Sequence, residues 1–230
     1  MSPITSSTSL AAWIDLAGRF DEAAEIKPGL ASLERWWLSL SEASPSSPAF
    51  GRDDLIKLIE WKGTRGKFRP ALVRYAKDQD DTALQEAFTE AIKLLRANTA
   101  TYLDEATLKA ALAPLLGLRG IGPATASAVL AAFDDRICFM SDELLERLQG
   151  KRDYTLKAYL ALFAELQGRQ RAVVDSGPKR GDEEKGNAWI SLRDMERAVF
   201  VDATRRKNGH GRRTGGQQQQ GGRRAKRSRS

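Results

Sequence analysis

Three stretches of this chain combine residue types and spacings that suit chemistry. The first is LRGIGPATASAVL, residues 118–130, in which Gly120 and Gly122 bracket Ile121 and Pro123 opens a run without a breaker before Asp134. So short a turn needs positive φ or a backbone without Cβ, which glycine supplies. Pro123 suits the first position of a helix, where a missing N–H costs nothing. Leu108, Leu112, Leu115 and Leu116 recur upstream at helical spacing, so the pattern predicts helix, glycine hairpin, helix. The hairpin N–H groups and the positive end of the second helix converge on one spot and can hold a phosphate oxygen. Gly120, Ile121, Gly122, Pro123 and Thr125 are therefore candidate DNA contacts of the kind that position a protein without reading sequence. The plainer alternative is a glycine-terminated helix followed by an alanine-rich core helix.

The second stretch, WKGTRGKFRP at 61–70, interleaves Lys62, Arg65, Lys67 and Arg69 with Trp61 and Phe68. Cations beside aromatics suit a phosphate backbone with an exposed base or sugar face. The same composition also fits a solvated interhelix loop, ended by Pro70, whose aromatics anchor in the core. The third stretch is Ser141-Asp142-Glu143, where the serine suits a helix cap and the two acids complement the helix dipole. No zinc spacing, P-loop, dinucleotide fingerprint or nucleophile–histidine pair is present, and the one histidine, His210, lies in a basic tail.

GIGPATA resembles the hairpin of the helix–hairpin–helix DNA glycosylase superfamily, in the form seen in its alkylation-repair branch. The resemblance covers residues 108–148. It implies a fold of many helices, duplex DNA as partner, and a catalytic aspartate about twenty residues past the second glycine. Asp142 falls at that offset, with Glu143 as the fallback carboxylate if the register shifts by one. In such an enzyme the carboxylate steadies positive charge on the sugar as the base leaves, and orients water. Two departures matter. Ala124 stands where bifunctional members carry a lysine, which implies no Schiff-base lyase chemistry. Cys138 is the only cysteine, so the four-cysteine iron–sulfur cluster of many members cannot form and no cofactor is expected. Related hairpins hold a monovalent cation on backbone carbonyls, here those of Leu118, Gly120 and Gly122. The stretch 61–70 also resembles part of eukaryotic proteins that carry the same hairpin, a resemblance that supplies no activity.

The elements that must position these stretches read as helices throughout. Residues 10–24, 30–40, 53–60, 81–98, 106–116, 123–133, 154–166 and 189–203 show helical apolar spacing, and no strand pattern competes. The clearest stripe is Leu84, Phe88, Ile92 and Leu95. The fold class expected is all-α. The domain plan is a disordered N-terminus at 1–9, one glycosylase-like domain at 10–203, and a disordered Arg/Gly/Gln-rich tail at 204–230, with a polar, mobile loop at 168–187.

Charge follows that plan. The chain has 230 residues and a formal net charge of +7, but residues 204–230 hold ten of its 37 Lys and Arg and no acid. The body is left with 27 basic residues against 30 acidic ones. The tail, with RRAKRSR at 223–229, reads as a nuclear-import signal, a sequence-blind nucleic-acid tether, and a contact for other nuclear proteins. The lone cysteine suits a reducing compartment, and no apolar run or secretory signal points to a membrane or to export. Three functions stay open at this point: a monofunctional base-excision glycosylase, a non-catalytic nuclear DNA-binding or chromatin-associated adaptor on the same fold, or an interaction scaffold whose hairpin only packs and whose tail handles localisation.

Overall fold

Helix follows helix along the chain in the computed structural model, which describes residues 3–42, 49–177 and 189–214, with side chains through 207. Eleven α-helices and no strand occur among the described residues: α1 (Leu10–Gly18), α2 (Phe20–Ala24), α3 (Leu30–Ser39), α4 (Arg52–Arg65), α5 (Pro70–Lys77), α6 (Asp81–Ala97), α7 (Glu105–Leu116), α8 (Pro123–Phe133), α9 (Asp142–Gln149), α10 (Leu156–Asp175) and α11 (Leu192–Thr214). The fold is all-α, as the apolar spacing predicts.

Most starts follow from capping chemistry. Ser9, Asp80, Asp104, Ser141 and Thr155 each accept a backbone N–H from the first turn with a side-chain oxygen. At α4 the cap position is Gly51, which has no side chain to cap with. Asp54 lies inside the first turn, where its carboxylate accepts the Gly51 N–H at 3.0 Å.

The centre of the molecule is α8, whose residues 125–132 are all buried. Ala126, Ala128, Ala131 and Ala132 keep it slim. α3, α4, α6, α7 and α10 all reach it. Trp37 donates its indole N–H to the Ala128 carbonyl at 2.9 Å and stacks on Trp61 with ring centres 4.6 Å apart. Its neighbour Trp36 lies on the outer side beneath Lys57, so the tandem tryptophans divide between core and surface. Leu84, Phe88, Ile92 and Leu95 form the buried stripe of α6, which packs along α7.

Three boundaries differ from the sequence expectation. Residues 3–9 are built onto the body: Ile4 and Thr5 are buried, and Arg169 on α10 donates to the Thr5 carbonyl. α10 continues to Asp175, through the first half of the expected loop at 168–187, because Gln170 and Val173 bury against the body. α11 runs past 203 to Thr214, so the expected irregular tail begins as helix. There Thr204 is buried, and Arg205, Arg206 and Lys207 pair with Glu22, Asp202 and Glu143. Residues 215–230, with the glutamine run and RRAKRSR, lie outside the described residues.

Candidate functional site

The hairpin forms where α7 ends. Leu118 N–H bonds to Leu115 O and Ile121 N–H to Leu118 O, each at 3.2 Å, which turns the chain in four residues. Gly120 takes φ +81°, and a Cβ there would sit 2.6 Å from the Tyr75 side chain. Conformation and space both demand glycine at this one position. Gly122 is different. It is extended (φ −97°) with open space around its Cα, and serves as the uncapped start of α8, followed by Pro123. The positive-φ requirement therefore falls on Gly120, not on Gly122. Ile121 is buried and anchors the turn, and the Gln79 side chain holds it from behind through the Arg119 carbonyl.

The first turn of α8 forms one wall of a cavity of about 160 Å³. The stretch 61–70 forms the facing wall, and the structure sorts its residues. Trp61 is fully buried in the core. Arg65 is 1 % exposed, with its guanidinium forked onto Glu196 (2.7 and 3.0 Å) among the rings of Phe20, Trp61, Phe139 and Phe200. Its guanidinium is committed to Glu196 and the surrounding rings, which removes it from the expected DNA contacts. Lys67, Phe68 and Arg69 form an exposed rim, and Pro70 begins α5 instead of merely ending a loop. Phe68 is 56 % exposed and folds back over Gly63.

Lys62 lies between these two fates. It is partly buried, and its amine meets the Thr125 hydroxyl at 2.6 Å across the cavity. No carboxylate lies within ion-pair distance of it among the described residues. Burial, helped by the charge of Arg69 and opposed by that of Asp142, pushes the Lys62 ammonium down to about 7. Thr125 is thereby turned inward to Lys62 and is buried, so its hydroxyl is not a surface contact.

The floor comes from α9. Ser141 caps the helix and Asp142 opens it, so the capping expectation holds. Asp142 also borders the cavity, with 15 % of its side chain exposed. Oδ1 accepts the Tyr154 hydroxyl at 2.5 Å and Oδ2 faces Arg152 at 2.9 Å. Burial first, and the Asp142 carboxylate second, push the Tyr154 phenol up to about 12, so it stays protonated and donates. Glu143 borders the same cavity but is buried, with Lys207 at 3.8 Å. Cys138 is buried and its thiol is pushed far up, which makes it inert.

Sequence reasoning missed Tyr154, Arg152, Tyr75 and Gln79. One signal for the first two was present: Gly150, whose left-handed turn (φ +69°) after α9 sends the chain back over Asp142. Among the described residues no group of three His, Cys, Asp or Glu is arranged to hold a metal. The Gly122 carbonyl, one of the three expected cation ligands, already accepts N–H bonds from Thr125 and Ala126 at 2.9 Å. Compared with family models, curated proteins and solved structures, the chain matches none.

Proposed function

We propose that this protein binds duplex DNA in the manner of a helix–hairpin–helix glycosylase and receives a turned-out nucleotide in the cavity beneath the hairpin. One observation carries the reading. Residues 62–69, 120–125 and 142–154, distant in sequence, wall a single cavity of about 160 Å³ that presents a carboxylate, an uncapped helix start and a basic rim. That size suits one base or sugar and falls below the range of about 300–1,000 Å³ for larger ligands.

In this reading Lys67, Arg69 and the start of α8 hold phosphates on either side of the cavity. Asp142, oriented by the Tyr154 hydroxyl, faces the sugar, where positive charge develops as a base departs. Glu143 is the fallback carboxylate. The chemistry asks for a carboxylate and water, with no cofactor. The basic residues at 223–229 supply nuclear delivery and a second, sequence-blind hold on DNA.

A specific observation favours a second reading. Both oxygens of Asp142 are already engaged, by Tyr154 and Arg152. That suits a nuclear DNA-binding adaptor that retains the pocket without the chemistry.

Fluorescence anisotropy on a labelled duplex over a salt series tests the binding claim that both readings share. Affinity should fall steeply with salt. Lys67→Ala and Arg69→Ala should each flatten the log–log slope by about 0.9. Absence of duplex binding at low salt, or binding indifferent to salt, contradicts the proposal.

A further inference from the structure

The cavity contains an amine that phosphate binding leaves unexplained. A lysine serving as a phosphate anchor belongs at the exposed rim, where Lys67 is. Lys62 instead reaches inward from the last turns of α4, and its only hydrogen-bond partner among the described residues is the neutral Thr125 hydroxyl. From the geometry we propose that Lys62 is a nucleophile that condenses with the aldehyde of a phosphorylated sugar held in this cavity.

The groups facing the amine fit that role. Arg69 and Lys67 at the rim offer charge to a phosphate, while Asp142 and Tyr154 on the opposite side offer a carboxylate and a hydroxyl to sugar oxygens. Arg65 and Glu143 also border the cavity, but each is engaged with an opposite charge, Glu196 and Lys207. The lowered proton affinity of Lys62 follows from this setting. At pH 7 about half of it is the neutral amine, roughly 10³-fold more than for an ordinary lysine.

The step balances without a co-reactant. The Nζ lone pair adds to the carbonyl carbon, and the carbonyl oxygen takes up a proton. The resulting carbinolamine loses that oxygen as water after a second protonation from solvent at the open mouth, while nitrogen gives up one proton. The product is a protonated imine on Lys62 plus one water, from a neutral amine, an aldehyde and one proton. Such an aldehyde has two sources: a free sugar phosphate, or the ring-opened abasic sugar within a DNA strand. The inference uses the cavity of the proposed function but does not require that DNA enter it.

The full-length protein is incubated with sodium cyanoborohydride and either deoxyribose 5-phosphate or a duplex carrying one abasic site. Intact mass and peptide mapping then locate the reduced adduct. The expected result is a single adduct on Lys62 whose rate rises with an apparent pKa near 7. It should be lost at least 100-fold in Lys62→Met and in Lys62→Arg, with both variants checked for a cooperative unfolding transition. Should one of them fail to fold, the wild-type peptide map and pH profile still decide. An adduct with the free sugar phosphate but not the duplex supports the nucleophile and counts against the DNA reading. An adduct with the duplex but not the free sugar supports both. No adduct with either probe, or adducts scattered over surface lysines with an apparent pKa near 10, overturns the proposal.

Discussion

Lys62 and Arg65 sit one turn apart on the same helix and meet opposite environments. Arg65 is enclosed by four aromatic rings and forked onto Glu196, which itself lies in the core. Lys62 is turned into a cavity with a hydroxyl for company. The contrast separates a buried cation that holds a fold together from one that is available for chemistry. A carboxylate partner restores what burial removes, and the arginine stays charged. Where that partner is missing, the lysine gives up its proton near neutral pH.

The comparison can be broken most severely at Arg65. Arg65→Ala strands Glu196 in the core, and the chain should lose about 3–5 kcal/mol of stability in urea unfolding. Wild-type stability in that variant would show that the buried pair holds nothing together.

The two hairpin glycines extend the contrast to backbone. Gly120→Ala places a side chain at positive φ against Tyr75 and should cost about 1–3 kcal/mol. Gly122→Ala enters open space from an extended backbone and should stay within about 0.5 kcal/mol of wild type. Equal costs at the two positions would contradict the hairpin geometry.

The last contrast concerns Lys62 and pH, with its effect spread over several pH units. Folded, it releases its proton near 7; unfolded, near 10.5. Between those values the unfolded chain binds the extra proton, so stability should climb with pH across that window. The slope from this group is at most about 1.4 kcal/mol per pH unit. Lys62→Met should remove that slope and be the more stable chain below pH 7. Identical pH profiles for the two chains would show that the amine is fully solvated.

The sequence makes regular, locally determined elements legible. The stripe on α6 and the slim, apolar α8 follow from periodicity and side-chain size alone. What decides the site is non-local. Nothing in WKGTRGKFRP distinguishes Arg65 from Lys62, because the distinction is made by Glu196 on α11 and Thr125 on α8. The continuation of α11 through Arg205, Arg206 and Lys207 was illegible for the same reason. Local composition there reads as solvated tail, while the partners Glu22 and Glu143 are far away in sequence. Asp142 was reachable through its offset from Gly122. Its engagement by Tyr154 and Arg152 depends on the reversal at Gly150, and so on the register of the α9–α10 turn.

The proposal that Asp142 works on a nucleotide in this cavity is tested most directly by base release. Duplexes carrying alkylated, oxidised or deaminated bases are incubated with the full-length protein and free base is quantified. Asp142→Asn keeps the size of the side chain and an acceptor for the Tyr154 hydroxyl, but removes the charge. Wild type should release base from at least one substrate, with alkylated duplex the first expected. Asp142→Asn should release it roughly 10²-fold more slowly or worse while binding duplex normally. Equal release by the two chains would contradict the role given to Asp142, and no release by wild type across the panel would leave the adaptor reading in its place.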